Sequence, residues 1–320
     1  MASERTDDPQ TSSEAESVVT LLLDEIYRCE SHFYSRQKPA DVGVIISSPM
    51  KSGTTLAQQM VYQMMAIVGR VESDPKGELF NDISEVVPSL EVRDATGIQE
   101  SIHRYEPAFW KSHADASHFK GWNGKYMYCV RNPINAVRSL LDFTYDWILD
   151  DPPRSLPVLR SVYASFVKKI LLADVDAEIA GWFAHTKSWL ESDNDVLYLI
   201  FEDVVKDIGG TIRRIARFVG IDISEEQVKV VKEKCSRDVM ARDPRFNDIS
   251  ISKLMGWKIG GGSRVKTEGD GLFKRIELDP QVERNVWGKF EKVFDLKTYE
   301  ELVHELRKRN DRTLAHAIRN

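Results

Sequence analysis

The chain has 320 residues and a formal net charge of −6, from 44 Lys and Arg residues against 50 Asp and Glu residues. Its length allows one large domain or about two smaller ones. Its composition, with 42% hydrophobic and 29% charged residues, excludes collagen-like, coiled-coil and wholly disordered chains. The acidic balance argues against a nucleic-acid-binding protein that neutralises many phosphates. It allows a small phosphorylated ligand, because such a ligand needs only a local group of donors.

Cysteine content and the amino-terminal sequence indicate the compartment. The three cysteines, Cys29, Cys129 and Cys235, are too few for a disulfide framework, and no pair has the spacing of metal ligands. Reduced thiols are therefore expected. The first 17 residues lack the basic segment and apolar core of a signal peptide, and no apolar stretch is long enough to span a membrane. We expect a cytoplasmic protein with no membrane attachment.

The predicted elements begin after a polar stretch. Residues 1–16 are mostly Ser, Thr, Asp, Glu and Pro without periodicity, which predicts a disordered tail, and residues 17–320 are expected to form a single domain. Apolar residues at three- and four-residue spacing predict an amphipathic helix over 17–35. The β-branched run at 42–46 predicts a buried strand, and residues 56–68 predict a helix after it.

Two more strands are predicted, at 126–130 and 196–201, and each is next to helical sequence. Strands that alternate with helices indicate a three-layer α/β/α domain with a central parallel sheet. The Gly- and Ser-rich residues 243–270 predict a long functional loop. The remaining helices are predicted around Trp182 and Trp189, near 209–218, at 224–235, from 280 onward and at 298–309.

The loop Lys51-Ser52-Gly53-Thr54-Thr55, between the first strand and its helix, is the strongest candidate for ligand binding. A strand, a Gly-containing loop and a helix together direct backbone N–H groups and the positive end of the helix dipole toward an anion. The hydroxyls and the lysine add donors and a positive charge. The loop differs from a Walker A loop, in which Gly-Lys precedes Ser or Thr. Taken alone, a solvated helix N-cap explains these residues equally well.

A second pattern follows the strand predicted at 126–130. Asn132 and Pro133 predict a helix start, which places Arg131 at the strand end and Ser139 about two turns into the helix. A phosphate beside this helix would meet both side chains. A surface ion pair is the alternative explanation for Arg131.

In these two patterns the chain resembles the cytosolic sulfotransferases, which use 3′-phosphoadenosine 5′-phosphosulfate (PAPS). The first signature of that family is the Lys-Ser-Gly-Thr-Thr loop, found here at residues 51–55. The second is an Arg at a strand end with a Ser eight residues later, found here at Arg131 and Ser139. The resemblance implies an α/β fold with a P-loop-like phosphosulfate-binding loop. It also implies PAPS as co-substrate, adenosine 3′,5′-bisphosphate (PAP) as product, and no metal ion.

Further segments match in family order, so that the resemblance spans about residues 40–275. They correspond to the family's Lys-Thr-His segment, its Trp-containing helix, its Leu-Tyr-Glu-Asp strand, an adenine-side segment and a late Arg-Lys-Gly-x-x-Gly-Asp-Trp loop. The matching residues are Lys111-Ser112-His113, Gly181-Trp182, residues 196–203, Cys235-Ser236 with Met240, and Arg264 with Gly269-Asp270.

The resemblance assigns roles to individual residues. It implies in-line transfer of a sulfuryl group to an acceptor oxygen or nitrogen, with His113 as general base. Lys51 would stabilise charge on the leaving oxygen, and Lys111 would contact the sulfuryl oxygens. The implied nucleotide contacts are Lys51, Ser52, Gly53, Thr54, Thr55, Leu56, Arg131, Ser139, Phe201, Ser236, Met240 and Arg264.

Several positions depart from the family pattern. Leu56 replaces the Trp that stacks on adenine, Phe201 stands where a Tyr is usual, and Arg237 stands where an aromatic residue is common. We therefore expect adenine to be stacked differently, with Phe201 as the candidate ring. In the late loop only Arg264 keeps its place; Val265 and Lys266 occupy the Lys and Gly positions, and Gly271 replaces the Trp.

The alternatives to sulfuryl transfer are a kinase, a non-catalytic nucleotide-binding module and a metal site. A small-molecule kinase on a similar scaffold would need the Walker-type Gly-Lys that is absent here. A non-catalytic nucleotide-binding module is compatible with the losses at Leu56 and Gly271, although Lys51, Lys111 and His113 argue against it. His113, Asp115 and His118 have a spacing that suits metal ligands, but the sequence offers them no further partner.

The acceptor and the oligomeric state are less constrained. The acceptor is expected to be a small molecule that contacts variable loops at 71–110, 144–160 and 242–264. Four aspartates would suit a cationic acceptor, although a solvated acidic loop explains them better; they are Asp142, Asp146, Asp150 and Asp151. Lys274 and Glu283 have the spacing of the ends of the family's dimer motif, which allows a homodimer.

Overall fold

The computed structural model describes residues 9–33, 37–173, 181–258, 265–266 and 271–317. A four-stranded sheet lies at the centre of the fold, with all strands parallel and in the order β2-β1-β3-β4. The strands are β1 Val44–Ser47, β2 Phe109–Ser112, β3 Lys125–Val130 and β4 Val196–Ile200.

Strand composition explains why this sheet is interior. Apart from Lys125, every residue of the four strands is buried. Such near-continuous apolar runs are typical of parallel strands that are covered on both faces. The three predicted strands are confirmed, with ends that shift by at most two residues. Strand β2 was not predicted, because Lys111 and Ser112 interrupt its short apolar run.

Successive side chains of each strand enter two separate hydrophobic cores, one on each face of the sheet. Tyr126 and Tyr128 of β3 belong to one core, and Met127 and Cys129 belong to the other. Helices cover both faces, so the predicted three-layer α/β/α architecture is confirmed. The cysteines at 129 and 235 are buried free thiols.

Fourteen helices are found among the described residues. They are α1 Pro9–Phe33, α2 Thr54–Ile67, α3 Ile83–Val86, α4 Arg93–Thr96, α5 Pro133–Ile148, α6 Leu156–Val167, α7 Trp182–Leu190, α8 Phe201–Lys206, α9 Ile208–Val219, α10 Glu225–Lys234, α11 Arg237–Arg242, α12 Ile249–Met255, α13 Pro280–Phe294 and α14 Tyr299–His316. None of the described helices is long and apolar enough to cross a membrane.

Local capping chemistry sets several helix starts as predicted. The Asn132 side chain accepts a hydrogen bond from the Asn135 N–H, and Pro133 follows at the first helical position of α5. Ser224 and Thr298 form capping boxes at α10 and α14. These caps fix where α5 begins, and therefore where Ser139 lies.

Two of the sequence predictions, one near each end of the chain, are wrong. The tail predicted for residues 1–16 is wrong from residue 9 onward, because α1 begins at Pro9. Ala15 is buried against the core, and Glu16 accepts a hydrogen bond from Ser165, which extends the helix into the polar stretch. The long loop predicted at 243–270 contains α12, while residues 259–264 and 267–270 lie outside the described part.

Asn310 of α14 completes the hydrogen bonding of strand β4, which lies at the edge of the sheet. Its side-chain oxygen accepts from the Tyr198 N–H at 2.8 Å, and its amide donates to the Tyr198 carbonyl at 2.8 Å. The buried amide thus takes the place of a neighbouring strand. Because β4 leads directly into Phe201, this contact also supports one of the predicted site residues.

Asn310→Ala should lower the free energy of unfolding by about 1–3 kcal/mol, because two buried backbone groups of Tyr198 lose their partner. Urea unfolding followed by circular dichroism measures the change. Asn285→Ala on the exposed face of α13 is the control and should be close to neutral. Equal stability of the two variants would contradict this role of Asn310.

Candidate active site

The predicted site residues lie at the carboxyl ends of the four strands. His113 follows β2, Arg131 follows β3 and Phe201 follows β4, while Lys51 lies in the loop after β1. In a parallel sheet these ends share one edge, which is where open α/β folds bind ligands. Residues that are 150 positions apart in sequence, such as Lys51 and Phe201, are thereby brought to one side of the molecule.

The loop between β1 and α2 has an unusual backbone that its sequence permits. Lys51 has φ of 61° and Gly53 has φ of 110°, and Gly53 is the N-cap of α2. A Cβ atom on Gly53 would lie 2.9 Å from the Phe201 ring, so only glycine fits there without displacement. The Lys51 Nζ lies 4.4 Å from the centroid of the Phe143 ring.

A cavity of about 510 Å³ opens above this loop. Ten of the twelve residues predicted to contact the nucleotide line it, although their roles stay predictions. These ten are Lys51, Gly53, Thr54, Thr55, Leu56, Arg131, Ser139, Phe201, Ser236 and Met240.

The other predicted residues lie elsewhere. Ser52 lines a small void under the loop, and its buried Oγ has no hydrogen-bond partner among the described residues. Arg264 lies outside the described residues. Lys111 and His113 are buried at the β2 edge and do not line the cavity.

The charged side chains that line the cavity are of one sign. Among the residues that the structure describes, four cationic side chains and no carboxylate line it; they are Lys51, Arg131, Arg237 and Lys266. Lys266 lies 3.9 Å from an oxygen of Asp146. No hydrogen bond or ion pair joins the Arg237 side chain to any described residue. Such a surface attracts anions strongly, because partial burial weakens solvent screening.

Arg131 is oriented by contacts with its neighbours. Its guanidinium stacks on Phe201, with the central carbon 4.4 Å from the ring centroid, and it donates to the Lys51 carbonyl at 3.1 Å. Burial lowers the pKa of Arg131, and the Glu202 carboxylate opposes that shift. The side chain is nevertheless cationic at neutral pH, because an arginine pKa starts far above 7.

His113 is held in one orientation. Its Nδ1 lies 2.9 Å from the Ser48 carbonyl oxygen, which can only accept a hydrogen bond. Nδ1 therefore carries the hydrogen, and Nε2 is the basic nitrogen of the neutral ring. Glu91 accepts a hydrogen bond from the His113 N–H at 2.6 Å, and His185 Nε2 donates to the His113 carbonyl at 3.1 Å.

Sequence reasoning missed part of the site. Val205 and Ile208 add apolar surface to the cavity, and Arg237 and Lys266 add charge. In the sequence, these two cations could be recognised only as departures from the family pattern. Glu91 carried no signal, because its partners in the His113 segment lie more than 20 residues away in sequence.

Three of the four aspartates have partners, and Asp151 is exposed. Asp142 is buried in α5 and accepts from the Phe273 N–H at 2.9 Å, and burial raises its pKa. Asp146 is paired with Arg154 at 3.2 Å, and Asp150 with Lys258 at 3.2 Å. Within the described residues, no group of three His, Cys, Asp or Glu side chains could hold a metal ion.

Gly53→Ala should destabilise the protein more than Gly121→Ala. Both positions have positive φ, at 110° and 79°, so each alanine carries backbone strain of about 1–2 kcal/mol. Only at position 53 must the Phe201 ring also move, since a Cβ on Gly121 meets nothing within 4 Å. Urea unfolding of both variants measures the difference; equal losses would show that the ring yields freely.

Comparison with known proteins identifies the family. A model of the sulfotransferase domain matches residues 41–306. The amine sulfotransferase of Oryctolagus cuniculus is 26% identical over 263 residues, covering 79% of this chain and 80% of the relative. Sulfotransferase 1E1 of Bos taurus is 28% identical over 240 residues, covering 73% and 77%. Among solved structures, retinol dehydratase in complex with androsterone and inactive cofactor PAP has a TM-score of 0.60 and 17% identity, covering 92% of this chain and 97% of that one. The chain belongs to the sulfotransferase family.

Proposed function

We propose that this sulfotransferase transfers the sulfuryl group of PAPS to a hydroxyl or amine of a small-molecule acceptor. The observation that carries the proposal is the single cavity in which ten of the predicted nucleotide contacts meet. The retinol dehydratase that shares the fold was solved with PAP, which supports the same donor here. The cytoplasmic location and the homodimer stay predictions.

The residues of the cavity fit a nucleotide with two anionic ends. Loop residues 51–55 would hold the phosphosulfate at the N-terminus of α2, where the helix dipole favours negative charge. Arg131 and Ser139, with the predicted Arg264, would hold the 3′-phosphate. Leu56, Phe201, Ser236 and Met240 would contact adenine, together with Val205 and Ile208.

The transfer step is a single displacement at sulfur. The acceptor oxygen or nitrogen forms a bond to sulfur as the bond from sulfur to the bridging oxygen breaks, and PAP leaves with the electron pair. His113 Nε2 takes the acceptor proton, Lys51 stabilises the leaving oxygen, and Lys111 contacts the sulfuryl oxygens. No metal ion takes part in this proposal, because a sulfuryl group carries less charge than a phosphoryl group. The Nδ1-protonated form of His113 supports its assignment as base.

Transfer of labelled sulfate from PAPS to a panel of phenols, alcohols and amines tests the function. His113→Ala and Lys51→Ala should each abolish turnover, because one removes the base and the other the charge at the leaving oxygen. His113→Ala should retain PAP binding, since His113 does not line the cavity. His118→Ala, a half-buried histidine five residues away, is the matched control and should retain turnover.

PAP binding is measured in the same proteins by thermal shift. A ligand at 100 times its Kd stabilises the folded state by about 2.7 kcal/mol, so a clear rise in Tm is expected. The absence of any shift at millimolar PAP would overturn the proposed donor. Turnover of the wild-type rate in His113→Ala would overturn the assigned base and leave the donor standing.

Arg237 is proposed as a further ligand of the 3′-phosphate. Its guanidinium lines the cavity without a partner among the described residues, and it lies close enough to Arg131 to lower that residue's pKa. Two neighbouring guanidinium groups repel each other, and a shared dianion converts the repulsion into attraction. This assignment also gives a reason for an arginine at a position where the family commonly has an aromatic ring.

Arg237→Gln should weaken PAP binding by about tenfold or more, the usual effect of losing one charge-assisted contact. Adenosine 5′-monophosphate lacks the 3′-phosphate, and its affinity should change much less. Isothermal titration with both nucleotides measures the ratio. Arg242→Gln, an exposed arginine at the other end of α11, is the control and should change neither affinity. Equal loss for both nucleotides would place Arg237 at the base or the 5′-phosphate instead.

A further inference from the structure

Glu91 is a buried carboxylate that gathers four hydrogen-bond donors. Its side chain is 4% exposed. Oε1 accepts from the His113 N–H at 2.6 Å, from the Ala114 N–H at 3.2 Å and from the Ser112 hydroxyl. Oε2 accepts from the Ser89 hydroxyl at 2.9 Å. Three of the four donors fall on Oε1, and all three belong to the segment that contains His113.

A second buried group holds the same segment from the opposite side of the backbone. His185 Nε2 donates to the His113 carbonyl at 3.1 Å, and His185 Nδ1 accepts from the Tyr128 hydroxyl at 3.0 Å. One ring nitrogen donates and the other accepts, which is the pattern of a neutral imidazole. Burial lowers the pKa of His185 to about 4, so the ring is neutral at physiological pH.

The His113 ring and the following residue are attached to the end of β1 and the loop that follows it. Nδ1 donates to the Ser48 carbonyl at 2.9 Å, and the Ser47 hydroxyl donates to the Ala114 carbonyl at 2.8 Å. Every polar backbone group of His113 and one ring nitrogen are thus held by separate elements. With Nδ1 donating to a carbonyl, Nε2 is the basic nitrogen of the neutral ring.

We propose that Glu91 and His185 are positioning residues, which hold the His113 backbone so that its ring stays in the Nδ1-protonated form with Nε2 as base. The role rests on the proposed function of His113. Neither residue touches the reacting atoms; each acts through the main chain of His113. A general base must lie within hydrogen-bond reach of the proton that it removes, and a displacement of about 1 Å can cost a hundredfold in rate.

Long-range 1H–15N NMR correlations of 15N-histidine-labelled protein test the positioning without an acceptor. The chain has seven histidines, and the His113→Gln variant assigns the signals of position 113. The wild type should show Nδ1 protonated and Nε2 unprotonated. Glu91→Ala should give an exchange-averaged mixture of the two neutral forms, and Glu91→Gln should restore the wild-type pattern, because its amide oxygen still accepts from the main chain. An unchanged pattern in Glu91→Ala would overturn the proposal.

Asp82 provides a matched control for loss of a buried carboxylate. It is 2% exposed and accepts from the N–H and the hydroxyl of both Ser84 and Ser250, at 2.8–2.9 Å. It makes four hydrogen bonds, as Glu91 does, but none to the His113 segment. Asp82→Ala should leave the His113 signals unchanged. A change equal to that of Glu91→Ala would show that general loosening is responsible, and would also overturn the proposal.

Kinetics then connect the position of His113 to the reaction. With the best acceptor of the panel, Glu91→Ala should lower kcat on the order of 10- to 100-fold, while the PAP dissociation constant stays unchanged. In a His113→Ala background, the trace transfer that a single-turnover assay detects should fall by less than about a further twofold, because the group that Glu91 positions is gone. If the rate losses of Glu91→Ala and His113→Ala multiplied fully in the double variant, Glu91 would not act through His113.

His185 supplies a second route if Glu91→Ala fails to fold. His185→Phe retains a ring stacked near Tyr128, where the centroids are now 5.6 Å apart, but removes the donor to the His113 carbonyl. It should lower kcat and disturb the His113 signals, whereas His185→Gln keeps a donor and should recover both. Failure of PAP to bind the wild type would count against the proposed function alone, because the NMR result depends on neither nucleotide nor acceptor.

Discussion

The parallel register of four short strands is the constraint on which the site depends. Because β2, β1, β3 and β4 run in one direction, their carboxyl ends meet at one edge of the sheet. Each strand ends one to four residues before a predicted functional side chain, from Ser47 to Lys51 and from Ile200 to Phe201. The two hydrophobic cores fix this register, since a slip by one residue would exchange the faces of every strand. The chemistry of the site is therefore tied to the packing of the sheet.

The positive charge of the cavity is local, and its sign is opposite to the net charge of the whole chain. The net charge of −6 gives no general attraction for an anion. The cavity nevertheless carries four cationic side chains and no carboxylate among its described residues. At distances of a few ångströms in a partly buried site, each pair is worth several times its value in water, whereas charges beyond about 10 Å are screened by salt. On the proposed function, the attraction for an anionic ligand therefore comes from the lining of one cavity.

The sequence predicts what depends on local pattern and misses what depends on distant contacts. Three strands, the cap of α5 and the loop at 51–55 follow from periodicity and capping chemistry. Strand β2 was not predicted because Lys111 interrupts its apolar run, although the fold buries all four of its residues. The start of α1 at Pro9 was not predicted for a similar reason, because Ala15 is buried by contacts with distant parts of the chain. Glu91 could not be found from sequence, because its function comes from a segment more than 20 residues away.

The departures from the family pattern form one consistent set when they are placed in the cavity. Leu56 supplies apolar surface without a ring, and Phe201 is already occupied on one side by the Arg131 guanidinium. On the proposed assignment, the stacking energy for adenine is thereby reduced, since an aromatic face contributes about 1–3 kcal/mol per base. Arg237 and Lys266 add positive charge at the same cavity. On the proposed assignment, binding energy moves from the base, which many nucleotides share, to the 3′-phosphate, which distinguishes PAPS from ATP. Charge then contributes more than base stacking to recognition of the donor. The parallel sheet makes this possible, because it brings cations from distant segments to one edge.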